Sequence, residues 1–140
     1  MKNLWLIGAA MFLLVGFLAP ASAAKGRKAK RIATGAWGGQ HITVQVSESA
    51  ATIEFDCANG QIDGPLTTDR RGRFDLKGTF YQEHGGPVRN NEQSNGQPAR
   101  YSGWTDGKRM TLTVTLAGQK EGIGTFNLTR GDAGRLFKCR

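Results

Sequence analysis

From Thr34 onward apolar and polar residues alternate with period two, and no stretch repeats at helical spacing. Ile42, Val44 and Val46 share one face of such a segment, with Thr43 and Gln45 on the other. Ile53, Phe55 and Cys57 oppose Glu54 and Asp56 in the next. The pattern continues with Phe74, Leu76, Gly78 and Phe80 against Asp75, Lys77, Thr79 and Tyr81. It recurs with Met110, Leu112, Val114 and Leu116 against Thr111, Thr113 and Thr115, and closes with Phe126 and Leu128. Turn-forming residues punctuate these runs at Asn59-Gly60, Asp63-Gly64, Asp69 to Gly72, Asp106-Gly107 and Asp132 to Gly134. Short strands this close along the chain pair with their neighbours, so the expected fold is all-β, an antiparallel meander of about eight strands. Closing the meander into a small barrel removes the exposed edges that invite aggregation. An open two-sheet sandwich is the alternative, and no substantial helix is expected in the mature chain.

One connection breaks the rhythm. His84 to Pro98 are 15 residues rich in Gly, Asn, Gln and Pro. Structureless loops of that length are often binding segments, although a long loop also closes at little entropic cost.

The first 23 residues follow a different rule. Lys2 is a positive start, Leu4 to Leu18 an almost uninterrupted apolar run, and Ala21-Ser22-Ala23 a small-residue cleavage site. A membrane anchor needs about 20 apolar residues, and Pro20 interrupts the run before that length. The expected organisation is a cleaved signal peptide over residues 1–23, a basic flexible arm over 24–33 and a single barrel domain over 34–140. The product is expected to be periplasmic or secreted. Removing 23 residues from 140 leaves 117, enough for one modest core.

The formal charge of +8 is unevenly placed. Lys25, Arg27, Lys28, Lys30 and Arg31 cluster just after the cleavage site. From Ile32 onward 13 Lys and Arg face 11 Asp and Glu, a difference of +2. Such an arm attaches to an anionic envelope surface by displacing counterions, or else is a solvated leader. Nucleic acid is the weaker expectation, because no recognition fold accompanies the arm and the compartment is wrong.

Cysteine usage agrees with export. Cys57 and Cys139 are the two in the chain, and an oxidising compartment favours their pairing. Zinc or redox roles would need further ligands or C-x-x-C spacing. Closing so long a loop stabilises by about 4 to 5 kcal/mol in the chain-entropy account.

Catalytic chemistry finds little support. Glu54 and Asp56 lie two apart on one strand face, where carboxylates ordinarily meet water, and glycoside hydrolysis needs two carboxyls across a cleft. His84 stands beside Glu83 without a marked nucleophile or a G-x-S-x-G elbow. Gly103 to Lys108 and Gly122-Ile123-Gly124 read as turns rather than phosphate or dinucleotide loops. No metal site and no cofactor is implied. The threonine stripe at 111, 113 and 115 suits a wet strand face, although ordered threonines also bind ice or sugar. The candidate ligand-binding residues are Trp37, Tyr81, His84, Arg89, Arg100, Tyr101 and Trp104, chosen for stiff aromatic area and for cations near the long loop. Trp37 and Trp104 have a second reading as plugs of the barrel.

Gly35-Ala36-Trp37, Gly72-Arg73-Phe74, Gly78-Thr79-Phe80-Tyr81 and Ser102-Gly103-Trp104 resemble the strand and hairpin motifs of lipocalin and avidin-like barrels. The resemblance implies a small exported barrel. It carries over no ligand contact residue by residue. Phe55-Asp56-Cys57-Ala58-Asn59-Gly60 and Ala99-Arg100-Tyr101 resemble parts of exported lysozyme inhibitors, without the serines that flank the inhibitory motif. As a whole the chain resembles small exported bacterial β-barrel proteins.

The expected function is therefore a non-enzymatic β-barrel binding module for a small ligand or an extracellular protein. The alternative is an inhibitor of an extracellular hydrolase such as lysozyme, presenting the 84–98 loop. Large inward residues, including Phe55, Phe74, Phe80 and Phe126, favour a filled interior and a surface partner. N-terminal sequencing of protein recovered from a bacterial periplasm should read Ala24-Lys25-Gly26. A product still starting at Met1 would contradict the export reading.

Overall fold

The computed structural model describes residues 29–86 and 95–139. The signal-peptide residues, Lys25, Arg27 and Lys28 of the basic arm, and Arg89 with most of the long loop lie outside the described residues. Among the described residues the chain forms ten strands and no helix. These are β1 (Lys30–Arg31), β2 (Gly35–Gly39), β3 (Ile42–Val46), β4 (Ala50–Phe55), β5 (Ala58–Asp63), β6 (Thr67–Thr68), β7 (Arg73–Gln82), β8 (Gln97–Thr105), β9 (Arg109–Leu116) and β10 (Gly122–Arg130).

Eight of them close an antiparallel barrel in the order β10-β2-β3-β4-β5-β7-β8-β9. Period-two patterning sets the inside and the outside: β9 alternates buried Met110, Leu112, Val114 and Leu116 with half-buried Thr111, Thr113 and Thr115. The remaining two strands, β1 and β6, pair as a short ribbon at the end where β2 begins. There Ile32 donates its N–H to the Leu66 carbonyl at 2.9 Å, and both side chains are buried in the core. Residues 30–33 are thus part of the fold, where a flexible arm was expected, because Ile32 finds apolar surface to cover.

The interior is filled. Trp37, Tyr101, Ile42, Ile53, Leu128, Val44 and Val114 are fully buried. Trp37 Nε1 donates to the Ala33 carbonyl at 3.0 Å, so the indole has its polar partner at the ribbon. Phe55 packs against Phe80 and Phe126, with ring centroids 5.7 and 5.4 Å away, at the opposite end. Tyr101 lies across the middle and donates its hydroxyl to the Thr79 carbonyl at 2.8 Å.

Tyr101 also explains one expectation that the structure corrects. Asn59-Gly60 was expected to be a turn, but both residues sit inside β5, paired with Glu54 and Ile53 of β4. A Cβ at Gly60 would collide with the Tyr101 hydroxyl. The glycine is there for clearance, and the β4–β5 turn is made by Asp56 and Cys57 instead.

After β10 the chain turns back and runs up the outside of the barrel over β2 and β3. Gly131 donates to the Ala36 carbonyl at 2.7 Å, and Arg135 to the Gly39 carbonyl at 2.9 Å. This course requires close backbone approach at Gly38, where a Cβ would run into the Gly134 amide. The disulfide between Cys57 and Cys139, with Cα atoms 5.3 Å apart, pins the end of the tail to the β4–β5 turn. The disulfide expected from cysteine usage therefore joins a post-strand tail to a turn.

Cys139→Ser should destabilise the fold by about 4 kcal/mol in denaturant unfolding, with the tail released. An unchanged midpoint under oxidising conditions would show that the tail adds nothing to stability.

Candidate functional site

Two side-chain clusters stand out on the outer wall. The first is the clasp around the tail. His41 ends the β2–β3 turn with φ of 65°, in the left-handed region that a non-glycine residue adopts only when its neighbours hold it. Here they do: His41 Nδ1 meets Asp56 Oδ2 at 2.6 Å, and the His41 N–H donates to the Arg135 carbonyl at 2.8 Å. Its ring lies 5.4 Å from that of Phe137. Asp56 Oδ1 accepts the Phe137 amide at 2.8 Å. Lys138 reaches the Phe55 carbonyl at 3.2 Å and Glu54 at 3.6 Å. Glu54 and Asp56, side by side in the sequence pattern, are thus both engaged by the tail.

The clasp holds Asp56 ionised. The Phe137 amide, first, and then His41 and Lys138 hold its carboxyl below the usual carboxylate range against a smaller opposing effect of burial. Asp69 and Asp106 are lowered mainly by turn amides, those of Arg73 and Arg71 and those of Arg109 and Lys108 respectively. Asp75 is lowered mainly by its two-point contact with Arg100. These are acceptors made permanent by donors. A general acid needs the opposite shift.

The second cluster is at the β1–β6 end and on the adjoining wall. Period two turns Trp104 outward while Tyr101, three residues earlier, points in. Trp104 is 42% exposed, and its Nε1 donates to the Arg71 carbonyl at 2.8 Å. It separates two surface concavities. One, of about 430 Å³, is lined by Lys30, Arg31, Arg70, Arg71 and Arg130, with Asp69 and Asp106 also on its wall. The other, of about 450 Å³, is lined by Arg109, Thr111, Asn127 and Thr129. Among the described residues the side chains of Arg70, Arg71 and Arg130 form no ion pair, and Arg109 has only Asp106 at 3.7 Å. The nearby acids Asp69 and Asp106 accept backbone amides and stay ionised, so five cations against two acids leave this hollow with a net positive charge.

The residues singled out from sequence do not converge. Trp37 and Tyr101 are completely buried in the barrel and present no surface to a ligand. Burial, more than the nearby Tyr81, pushes the Tyr101 phenol far above its usual range, so it stays a donor. Arg100 is exposed but tied to Asp75. Together with Lys77 and Thr115 it lines a further concavity of about 660 Å³. Tyr81 is half-buried near the end of β7, and His84 is exposed just beyond it. Arg89 lies outside the described residues. Of the described members of the set, Trp104 alone joins the cationic cluster. Arg70, Arg71, Arg109 and Arg130 were not singled out, because they are separated in sequence and only the barrel brings the β6–β7 loop, the β8–β9 hairpin and the end of β10 together. Among the described residues no group of three or more His, Cys, Asp or Glu is placed to hold a metal ion.

The carboxylate shifts have a direct consequence. Each folded pKa lies below its unfolded value, so the stabilisation is present above about pH 4 and is lost as pH falls through the folded value. Thermal melting should hold level down to about pH 5 and then decline, and Asp56→Asn should lower the melting temperature near pH 7 while flattening part of that decline. A variant with an unaltered acid limb would remove Asp56 from the account.

Compared with known proteins, the chain matches no family model, no curated sequence and no solved structure, so what the barrel does has to be read from its own side chains.

Proposed function

We propose that the chain is an exported, non-enzymatic β-barrel binding module that meets its partner on the outer wall of the barrel. The filled interior is the observation that carries this reading. An eight-stranded barrel has room either for its own side chains or for one small ligand. Trp37 and Tyr101 take that space, the β1–β6 ribbon covers one end with Ile32 and Leu66, and Phe55 and Phe80 occupy the other. The concavities described above open on the outer wall, and the most cationic of them borders an exposed aromatic.

The non-enzymatic part of the proposal rests on the carboxylates. Among the described residues, those with a shifted acidity are shifted toward the ionised form by donors that also hold turns, the tail or a salt bridge together. Such groups serve the fold. His41, whose Nδ1 meets Asp56, is spent on the tail clasp.

Native mass spectrometry of the exported protein should give the bare polypeptide mass, with one disulfide. A tightly held small molecule that is released only on unfolding would place the ligand inside the barrel and overturn the proposal.

A further inference from the structure

Resting on the outer-wall reading, we propose that Trp104 and the two concavities beside it form a site for an acidic glycan, a polymer of sugars bearing carboxylate or phosphate groups. The ligand would cross the indole, with its acid groups in the cationic concavity and its hydroxyls in the polar one.

Three features carry this. The first is a fixed aromatic platform. The Nε1–H of Trp104 is held by the Arg71 carbonyl at 2.8 Å while 42% of the residue remains exposed. A stiff ring of this kind offers contact area at little entropic cost and suits the apolar face of a sugar ring. The second is the charge beside it. Arg70, Arg71 and Arg130 form no close ion pair among the described residues and line one hollow with Lys30 and Arg31, five cations against the two carboxylates Asp69 and Asp106. Guanidinium groups match carboxylate and phosphate in a two-point geometry. The third is the chemistry on the other side. Outward Trp104, Thr111 and Asn127 lie in one cross-strand row over β8, β9 and β10, and Arg109 pairs with Thr129 in the next. Hydroxyl and amide groups both donate and accept, as sugar hydroxyls require. The Thr111 hydroxyl already donates to Asn127 Oδ1 at 3.1 Å, which orients the pair.

Other polyanions fit less well. Single-stranded nucleic acid is tracked by successive aromatic platforms, whereas Trp104 is the one exposed aromatic on this wall among the described residues. The other large exposed apolar side chains, Ile123 and Phe137, lie on the far part of β10 and on the tail. A membrane surface also takes an indole beside cations, but it has no use for the oriented Thr111 and Asn127 groups on the other side.

Titration calorimetry of the exported protein with polygalacturonate and with phosphomannan, against neutral dextran, tests the site. Binding to either charged polymer, weakened by added salt, together with none to dextran, is the expected result. Trp104→Ala should weaken it about tenfold and Trp104→Phe much less. Arg71→Gln with Arg130→Gln should weaken it about as much and reduce the salt dependence. Melting curves identify any variant that fails to fold, and in that case the Trp104→Phe and Arg-to-Gln comparisons decide. Undiminished affinity in a folded Trp104→Ala protein, equal binding to dextran, or tighter binding to oligothymidine or to phosphatidylglycerol vesicles overturns the glycan site while leaving the outer-wall reading intact. A ligand trapped within the barrel overturns both.

Discussion

The barrel closes where β10 meets β2, and much of the molecule is arranged around that seam. Only three residues of β10 pair there, Leu128 with Gly39, Thr129 with Gly38 and Arg130 with Trp37, the shortest ladder in the barrel. Sheet closure depends on it, because a barrel with an open seam presents two unpaired edges. The chain reinforces the seam from both sides. Inside, the Trp37 indole fills the space behind it. Outside, the tail crosses it on backbone hydrogen bonds to Ala36, Gly39 and His41, and the disulfide holds the far end of the tail to the β4–β5 turn.

The same arrangement divides the outer wall into two regions with different duties. Over β2 and β3 the wall is covered, and its polar groups are consumed: His41, Asp56, Glu54 and Lys138 hold the tail, and Thr43 donates to the Ala133 carbonyl at 2.8 Å. Over β8, β9 and β10 the described residues leave the wall uncovered, and beside its arginines Thr111 bonds to Asn127 and Thr113 to Thr125. The distinction is physical. A tail that follows β10 can reach β2 across the seam but not the opposite side of the barrel.

Charge follows this division. Most of the folded domain is nearly neutral, yet its cations are not spread evenly. Three separate parts of the chain, the β6–β7 loop, the start of β9 and the end of β10, place Arg70, Arg71, Arg109 and Arg130 at the end where β1 arrives with Lys30 and Arg31. The acids of the same turns, Asp69 and Asp106, accept turn amides and are fewer than the cations around the hollow. The local field is thus more positive than the composition of the domain suggests.

What the sequence by itself determined is the alternation. Met110 to Leu116 and Ile42 to Val46 have their inner and outer faces written in residue type, and enough such segments in a row lead to an antiparallel meander. The same alternation already separated Tyr101 from Trp104, since positions three apart in a strand face opposite ways, although aromatic character alone grouped them. Tertiary structure decided the rest. Asn59-Gly60 has the composition of a turn, but Gly60 is a clearance under Tyr101, a residue 41 positions later that only barrel closure brings there. The tail strap, the His41–Asp56 contact and the arginine cluster arise in the same way. Each joins residues distant in the chain, and local propensity holds no information about which distant partner a short polar segment will meet.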